Sequence, residues 1–143
     1  MNDSLVIQVV DWLDRQDALK AIRKAVFIDE QHVPLELEWD GKDADCAQFL
    51  ASVDSTPVAT ARLTPQGQIG RMAVLKEFRG NGVGSRLLAA AIDQAGKTGH
   101  DQVFLHAQVS VIGFYERFGF VAEGERFMDA GIEHQAMRLV LQG

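Results

Sequence analysis

The stretch RMAVLKEFRGNGVGSRLLAAAIDQA, Arg71 to Ala95, decides how the rest of the chain is read. Met72 to Leu75 is a short apolar run and predicts a strand. After Lys76-Glu77-Phe78 comes the segment Arg79-Gly80-Asn81-Gly82-Val83-Gly84. Beyond it Val83, Leu87, Leu88, Ala91, Ile92 and Ala95 recur at helical spacing, with Arg86, Asp93 and Gln94 off that face. Three glycines in five residues just before a helix let the backbone turn tightly with its N–H groups outward. Those amides and the positive helix end, equivalent to about half a charge, suit a phosphate. The same residues also suit a glycine-rich turn that merely starts a helix.

Upstream, Leu5 to Val10 is rich in β-branched residues and predicts a first strand. Asp14 to Phe27 carries Leu19, Ile22, Val26 and Phe27 at helical spacing, with Asp14 or Asp17 as N-cap. Ile28 to Asp43 is a mixed segment broken by Pro34 and turned at Asp40-Gly41. Its Glu30, His32, Glu36, Glu38, Trp39 and Asp40 suit either a pocket for a cationic amine or a surface loop with Trp39 packed inward. Ala47 to Val53 and Val58 to Leu63 predict a hairpin across Asp54-Ser55-Thr56-Pro57. A further turn, Thr64 to Gly67, leads into the strand that opens the decisive stretch.

Downstream, the long helix ends at Gly96 or Gly99, and Val103 to Ala107 predicts a strand. Gln108 to Phe118 predicts a short helix that Gly119 stops. Strands follow at Phe120-Val121 and at Gln135 to Leu141, separated by a loop over Glu123 to Gly131. The sum is mixed α/β, antiparallel in its first half, with a strand–helix–strand unit giving a local parallel pairing.

Composition narrows the function classes. A chain of 143 residues, 47% apolar and 24% charged, suits a single globular domain over 1–143. A net charge of −6 argues against a broad nucleic-acid surface. Cys46 is the only cysteine, so an intrachain disulfide and a cysteine metal cluster are excluded. No metal site is expected from four scattered histidines without a His-Glu-x-x-His pair. The opening Met1-Asn2-Asp3-Ser4 lacks signal-peptide features and no run reaches membrane-spanning length, so no membrane partner and a cytoplasmic location are expected. Gly80-x-Gly82-x-Gly84 departs from the dinucleotide fingerprint, and no Gly-Lys-Ser/Thr follows as a phosphate-loop NTPase requires.

Arg79-x-x-Gly82-x-Gly84 at a strand-to-helix junction resembles the acyl-CoA-binding signature of the GNAT superfamily of N-acyltransferases. Gly113-Phe114-Tyr115-Glu116-Arg117-Phe118-Gly119-Phe120 is similar to that superfamily's FYxxxGF segment, one helix and one strand downstream. Finer matches resemble the ElaA-like branch: Val26-Phe27-x-x-Glu30-Gln31, Asp40-Gly41-x-Asp43, Gly70-Arg71, Ala107-Gln108 and Gly131-Ile132-x-His134. Many superfamily members carry asparagine where this chain has Gln108, a difference that fits the ElaA-like branch.

The resemblance implies an α+β fold: a mixed, centrally splayed sheet of about six to seven strands flanked by about four helices. It implies an acetyl-CoA-dependent N-acetyltransferase acting on a small-molecule or peptide amine, by direct attack in a ternary complex. The coenzyme would be held by Met72, Ala73 and Val74 along its pantetheine arm. Its pyrophosphate would lie on Arg79, Gly80, Asn81, Gly82, Val83, Gly84 and Ser85. Tyr115 matches the position that protonates the leaving thiolate, with a core-filling ring as the alternative. Glu30 and His134 are the candidates for the base, and His106 is a third. Cys46 reads as core within a strand. Homodimers are common among the family. A non-catalytic acyl-CoA-binding module of the same fold is the other reading.

Overall fold

A computed structural model describes residues 4–141. Strands β1 (Leu5–Val10), β2 (Ala47–Val53), β3 (Thr56–Leu63) and β4 (Ile69–Val74) form one antiparallel sheet in that order. A second antiparallel sheet comprises β5 (Gln102–Gln108), β6 (Val121–Ala122), β7 (Phe127–Asp129) and β8 (Ile132–Val140), with β8 pairing to the other three. Helices α1 (Trp12–Arg23), α2 (Leu35–Glu38), α3 (Val83–Lys97) and α4 (Ile112–Glu116) complete the chain. The fold is the expected mixed α/β one. Eight strands replace the six or seven expected, because short β6 and β7 lie where the sequence shows only a strand start and a loop.

The two sheets part between β4 and β5. Their backbone link is one parallel bridge, Gln68 to Phe104, where the Phe104 N–H donates to the Gly67 carbonyl at 3.0 Å. Beyond that point the outer edge of β4 has no strand beside it among the described residues. α3 spans the split from one side: Val83, Leu87, Leu88, Ala91 and Ala95 are buried against Phe49, Ala61, Val103 and Leu105 in a shared core. A second cluster, Leu19, Ile22, Val26, Leu50 and Ala73, fixes α1 against the first sheet.

Several boundaries move for local reasons. The N-cap of α1 is Asp11, whose carboxylate accepts from the Leu13 N–H at 3.3 Å, so the helix starts before Asp14. After Arg23 the helix widens into a π-helical segment over Lys24–Glu30. The β2–β3 hairpin needs only two turn residues, Asp54 and Ser55, at φ 50° and 69°. Cys46 lies outside any strand, ahead of β2, and is only partly covered; its thiol donates to the Lys42 carbonyl at 3.3 Å.

Pairing between β3 and β4 runs Thr60 to Ala73 and then Arg62 to Gly70, so β4 carries one extra residue. This bulge contains Arg71, at φ 50°. A non-glycine residue there stores about 1–3 kcal/mol that its surroundings must hold.

Candidate active site

The cleft between the sheets opens into a cavity of about 880 Å³. From β4 it is lined by Met72, Ala73 and Val74; from the loop and the start of α3 by Arg79, Gly80, Gly82, Val83, Gly84 and Ser85. Tyr115, His106 and His134 line the same cavity from the other sheet and its short helix. Two expected site residues are not in its wall: Asn81 and Glu30.

Gly82 caps α3 in the left-handed region at φ 79° and, being glycine, brings no capping side chain of its own. The first intrahelical bond is Arg86 N–H to the Gly82 carbonyl at 3.1 Å, so the amides of Val83, Gly84 and Ser85 precede it. A Cβ on Gly82 would meet nothing, so the requirement for glycine is conformational. Gly84 is helical, and a Cβ there would meet the side chains of Phe114, Val74 and Met72 at 3.7 to 4.0 Å, ordinary van der Waals contact.

Arg79 is held by the protein itself. Its Nη1 and Nη2 donate to the two oxygens of Glu30, both at 2.6 Å, and its Nε donates to the Val74 carbonyl at 2.9 Å. The Arg79 hydrogen bonds hold the Glu30 carboxyl below its ordinary range. Glu30 instead lines a separate depression of about 390 Å³ with Lys76 and Glu77.

Tyr115 packs edge-on against Phe114 and Phe120, at ring separations of 5.1 and 6.0 Å. Its hydroxyl makes no hydrogen bond among the described residues, and burial pushes its pKa up to about 12. His134 is buried, with Nδ1 at 2.7 Å from the Ile132 carbonyl. That bond requires the proton on Nδ1, leaving the Nε2 lone pair of the neutral ring free to accept. Phe127 stacks on His134 at 5.8 Å and meets His106 edge-on at 5.1 Å. Burial, and then His134, hold the His106 pKa below the ordinary imidazole value. Across the cleft Gln108 Nε2 donates to Gln31 Oε1 at 2.9 Å, an amide bridge between β5 and the end of the π-helical segment.

The acidic segment does not form an open pocket for a cation. Arg23 takes Glu38 and Asp43, Arg62 takes Asp40 and Asp43, and Arg71 approaches Glu38 and Asp40. The paired signals Asp40-Gly41-x-Asp43 and Gly70-Arg71 are therefore partners in space, a link that the sequence alone does not reveal. Among the described residues no group of three or more His, Cys, Asp or Glu is placed to hold a metal ion, and no helix is long and apolar enough to cross a membrane.

A family model for the acetyltransferase (GNAT) domain matches residues 13–141. The chain belongs to the GNAT acetyltransferase family. A Bacillus subtilis relative with a provisional acetyltransferase name is 38% identical over 122 residues, 81% of this chain and 83% of its own. The crystal structure of Escherichia coli ElaA superposes with a TM-score of 0.85 at 28% identity, covering 94% of this chain and 98% of ElaA. An acyl-CoA N-acyltransferase from Pseudomonas aeruginosa gives a TM-score of 0.82 at 32% identity, covering 94% and 97% of the two chains. The GNAT assignment and the likeness to ElaA agree with the family and branch that the motifs indicate.

Proposed function

We propose that the protein transfers an acetyl group from acetyl-CoA to a primary amine, on a small molecule or peptide, by direct attack in a ternary complex. One observation carries this: a single cavity holds the glycine loop, the open side of β4, and the side chains of Tyr115 and His134. A binding module needs only the first two.

The residues fit an acylated coenzyme. First-turn amides of α3 and the Arg79 guanidinium suit a pyrophosphate, and the unpaired β4 edge at Met72 to Val74 suits an amide-bearing arm. When bound, acetyl-CoA supplies a thioester carbonyl for the amine to attack. His134 Nε2 takes the proton that the amine loses. Glu30 orients Arg79 and leaves base work to the imidazole, since both its oxygens are engaged by that guanidinium. Tyr115 donates to the sulfur as negative charge develops there.

Two expected results follow for this site. His134→Gln should lower kcat about 100-fold, as loss of a general base does, whereas Glu30→Gln should lower it less than about tenfold. The reverse order in steady-state assays would return the base role to Glu30. Gly82→Ala forces a left-handed alanine, at a cost of about 1–2 kcal/mol, where the coenzyme backbone must approach. It should raise KM for acetyl-CoA about tenfold with a smaller change in kcat; an unchanged KM removes the loop from phosphate binding.

The test of the function is thiol release from acetyl-CoA against an amine panel. CoA production that depends on an acceptor supports the transferase. Tight CoA binding with no turnover across the panel favours the non-catalytic module.

A further inference from the structure

The ion-pair cluster beside the cleft is unevenly satisfied. Arg23 is fully buried and partnered at every guanidinium nitrogen: Nε on Glu38 and Nη1 on Asp43, both at 2.6 Å, with Nη2 on the Glu38 carbonyl at 3.0 Å. Arg62 holds Asp40 with both terminal nitrogens and Asp43 at 3.0 Å.

Arg71 differs in every respect. Its Nη2 reaches the Leu37 and Glu38 carbonyls and Asp40 Oδ2, all at 3.3 Å, well beyond the roughly 2.7–2.9 Å of charge-assisted bonds. Its Nε lies 3.3 Å from Glu38 Oε2 but is misaligned, so a buried N–H goes without a hydrogen bond. Its Nη1 has no hydrogen-bond partner among the described residues. Burial weakens its hold on the proton, and Arg62 and Arg23 repel it, with Glu38 acting in the opposite direction. Arg71 alone of the three arginines lines the cavity, from the strained bulge of β4.

We propose that Arg71 binds a carboxylate carried by the acceptor, which makes the acceptor an amino carboxylate. This rests on the transferase reading and goes beyond it by naming the acceptor class. Nη1 is left with N–H donors for a charge-assisted hydrogen bond to one carboxylate oxygen, while the weakly held Nη2 beside it has little to lose by turning to the second. The carboxylates that would attract a purely cationic amine, Glu38, Asp40 and Asp43, are already committed to guanidiniums. Asp129 and His134 line the same cavity from the second sheet, where the amine end of a zwitterion finds an anion and a base.

The experiment measures acetyl-CoA thiol release with amino carboxylates of graded chain length, each paired with its primary amide, plus cationic and neutral amines. At least one acid should exceed its amide in kcat/KM by about tenfold or more, the effect of one charge-assisted hydrogen bond. Arg71→Gln should lower kcat/KM for that acid at least about tenfold more than for the amide, mainly through KM. This comparison separates recognition from general damage, which would lower both alike. Equal values for acid and amide in the wild-type protein, or turnover confined to amines without a carboxylate, overturns the proposal and leaves the transferase standing. No turnover with any amine removes both. The wild-type ratio needs no variant, so misfolding of Arg71→Gln cannot obscure the result.

Discussion

Tyr115→Phe is expected to lower kcat about 100-fold, with thermal stability and KM for acetyl-CoA close to those of the parent protein. The ring would keep its edge-on contacts with Phe114 and Phe120, so only the hydroxyl is lost. A pKa near 12 keeps that hydroxyl protonated at neutral pH. It also limits what the hydroxyl does. An ordinary thiol titrates near about 8.5, so a full proton transfer from this phenol to a thiolate runs uphill by several kcal/mol. The role proposed for it is therefore a hydrogen bond that strengthens as charge moves onto sulfur, and a single preorganised donor contributes about 10²–10³ in rate. Single-turnover measurements would isolate the chemical step. A variant with undiminished turnover would reduce Tyr115 to a packing residue.

The largest stability effect is expected away from the reacting groups, at Arg23. Its guanidinium lies over the rings of Trp12 and Trp39, at 5.7 and 4.9 Å from their centres, and neutralises Glu38 and Asp43. Arg23→Ala strands both carboxylates in a buried setting and should cost about 3–5 kcal/mol in denaturant unfolding. A loss below about 1 kcal/mol would mean that water or Arg62 takes over the pairing. The cluster also sets the acid limit. Hydrogen bonding to Arg62 holds the Asp40 carboxyl well below its usual range; Asp43 is lowered too, its arginine partners outweighing the burial that pushes it up. Both native pKa values lie below the unfolded ones. Their stabilisation is therefore present above about pH 4, where the unfolded carboxylates ionise, and is lost as pH falls through the native values.

Periodicity reads α3, and β-branched composition reads β1, because each segment carries one dominant signal. The bond that mattered most at the start of α1 was a cap one residue ahead of the helix, Asp11, which competes with Asp14 and Asp17 on equal chemical terms. The glycine loop, Tyr115 and His134 were legible as motifs, and they do share one cavity. The partners of the charged residues were not. Glu30 and Arg79 meet across 49 positions, and Arg62 and Asp40 across 22, so no local spacing encodes them. The acidic segment Glu30 to Asp40 suits a pocket for a cationic amine in sequence because the arginines that pair with Glu38 and Asp40 arrive from α1, β3 and β4. Arg71 was visible only as half of a Gly70-Arg71 pair; its significance comes from a bulge that places a strained backbone at the cavity wall.

An unpaired strand border is ordinarily a hazard, since it templates addition of a foreign chain and leads to aggregates. In this molecule the vulnerable border belongs to β4 and lies recessed between two diverging layers, walled by α4 and the β7–β8 turn. A chain that pairs with its amides has to enter between those walls. The recess thus screens this border from flat, edge-to-edge addition, a protection that the opposite border of the same sheet, β1, does not share.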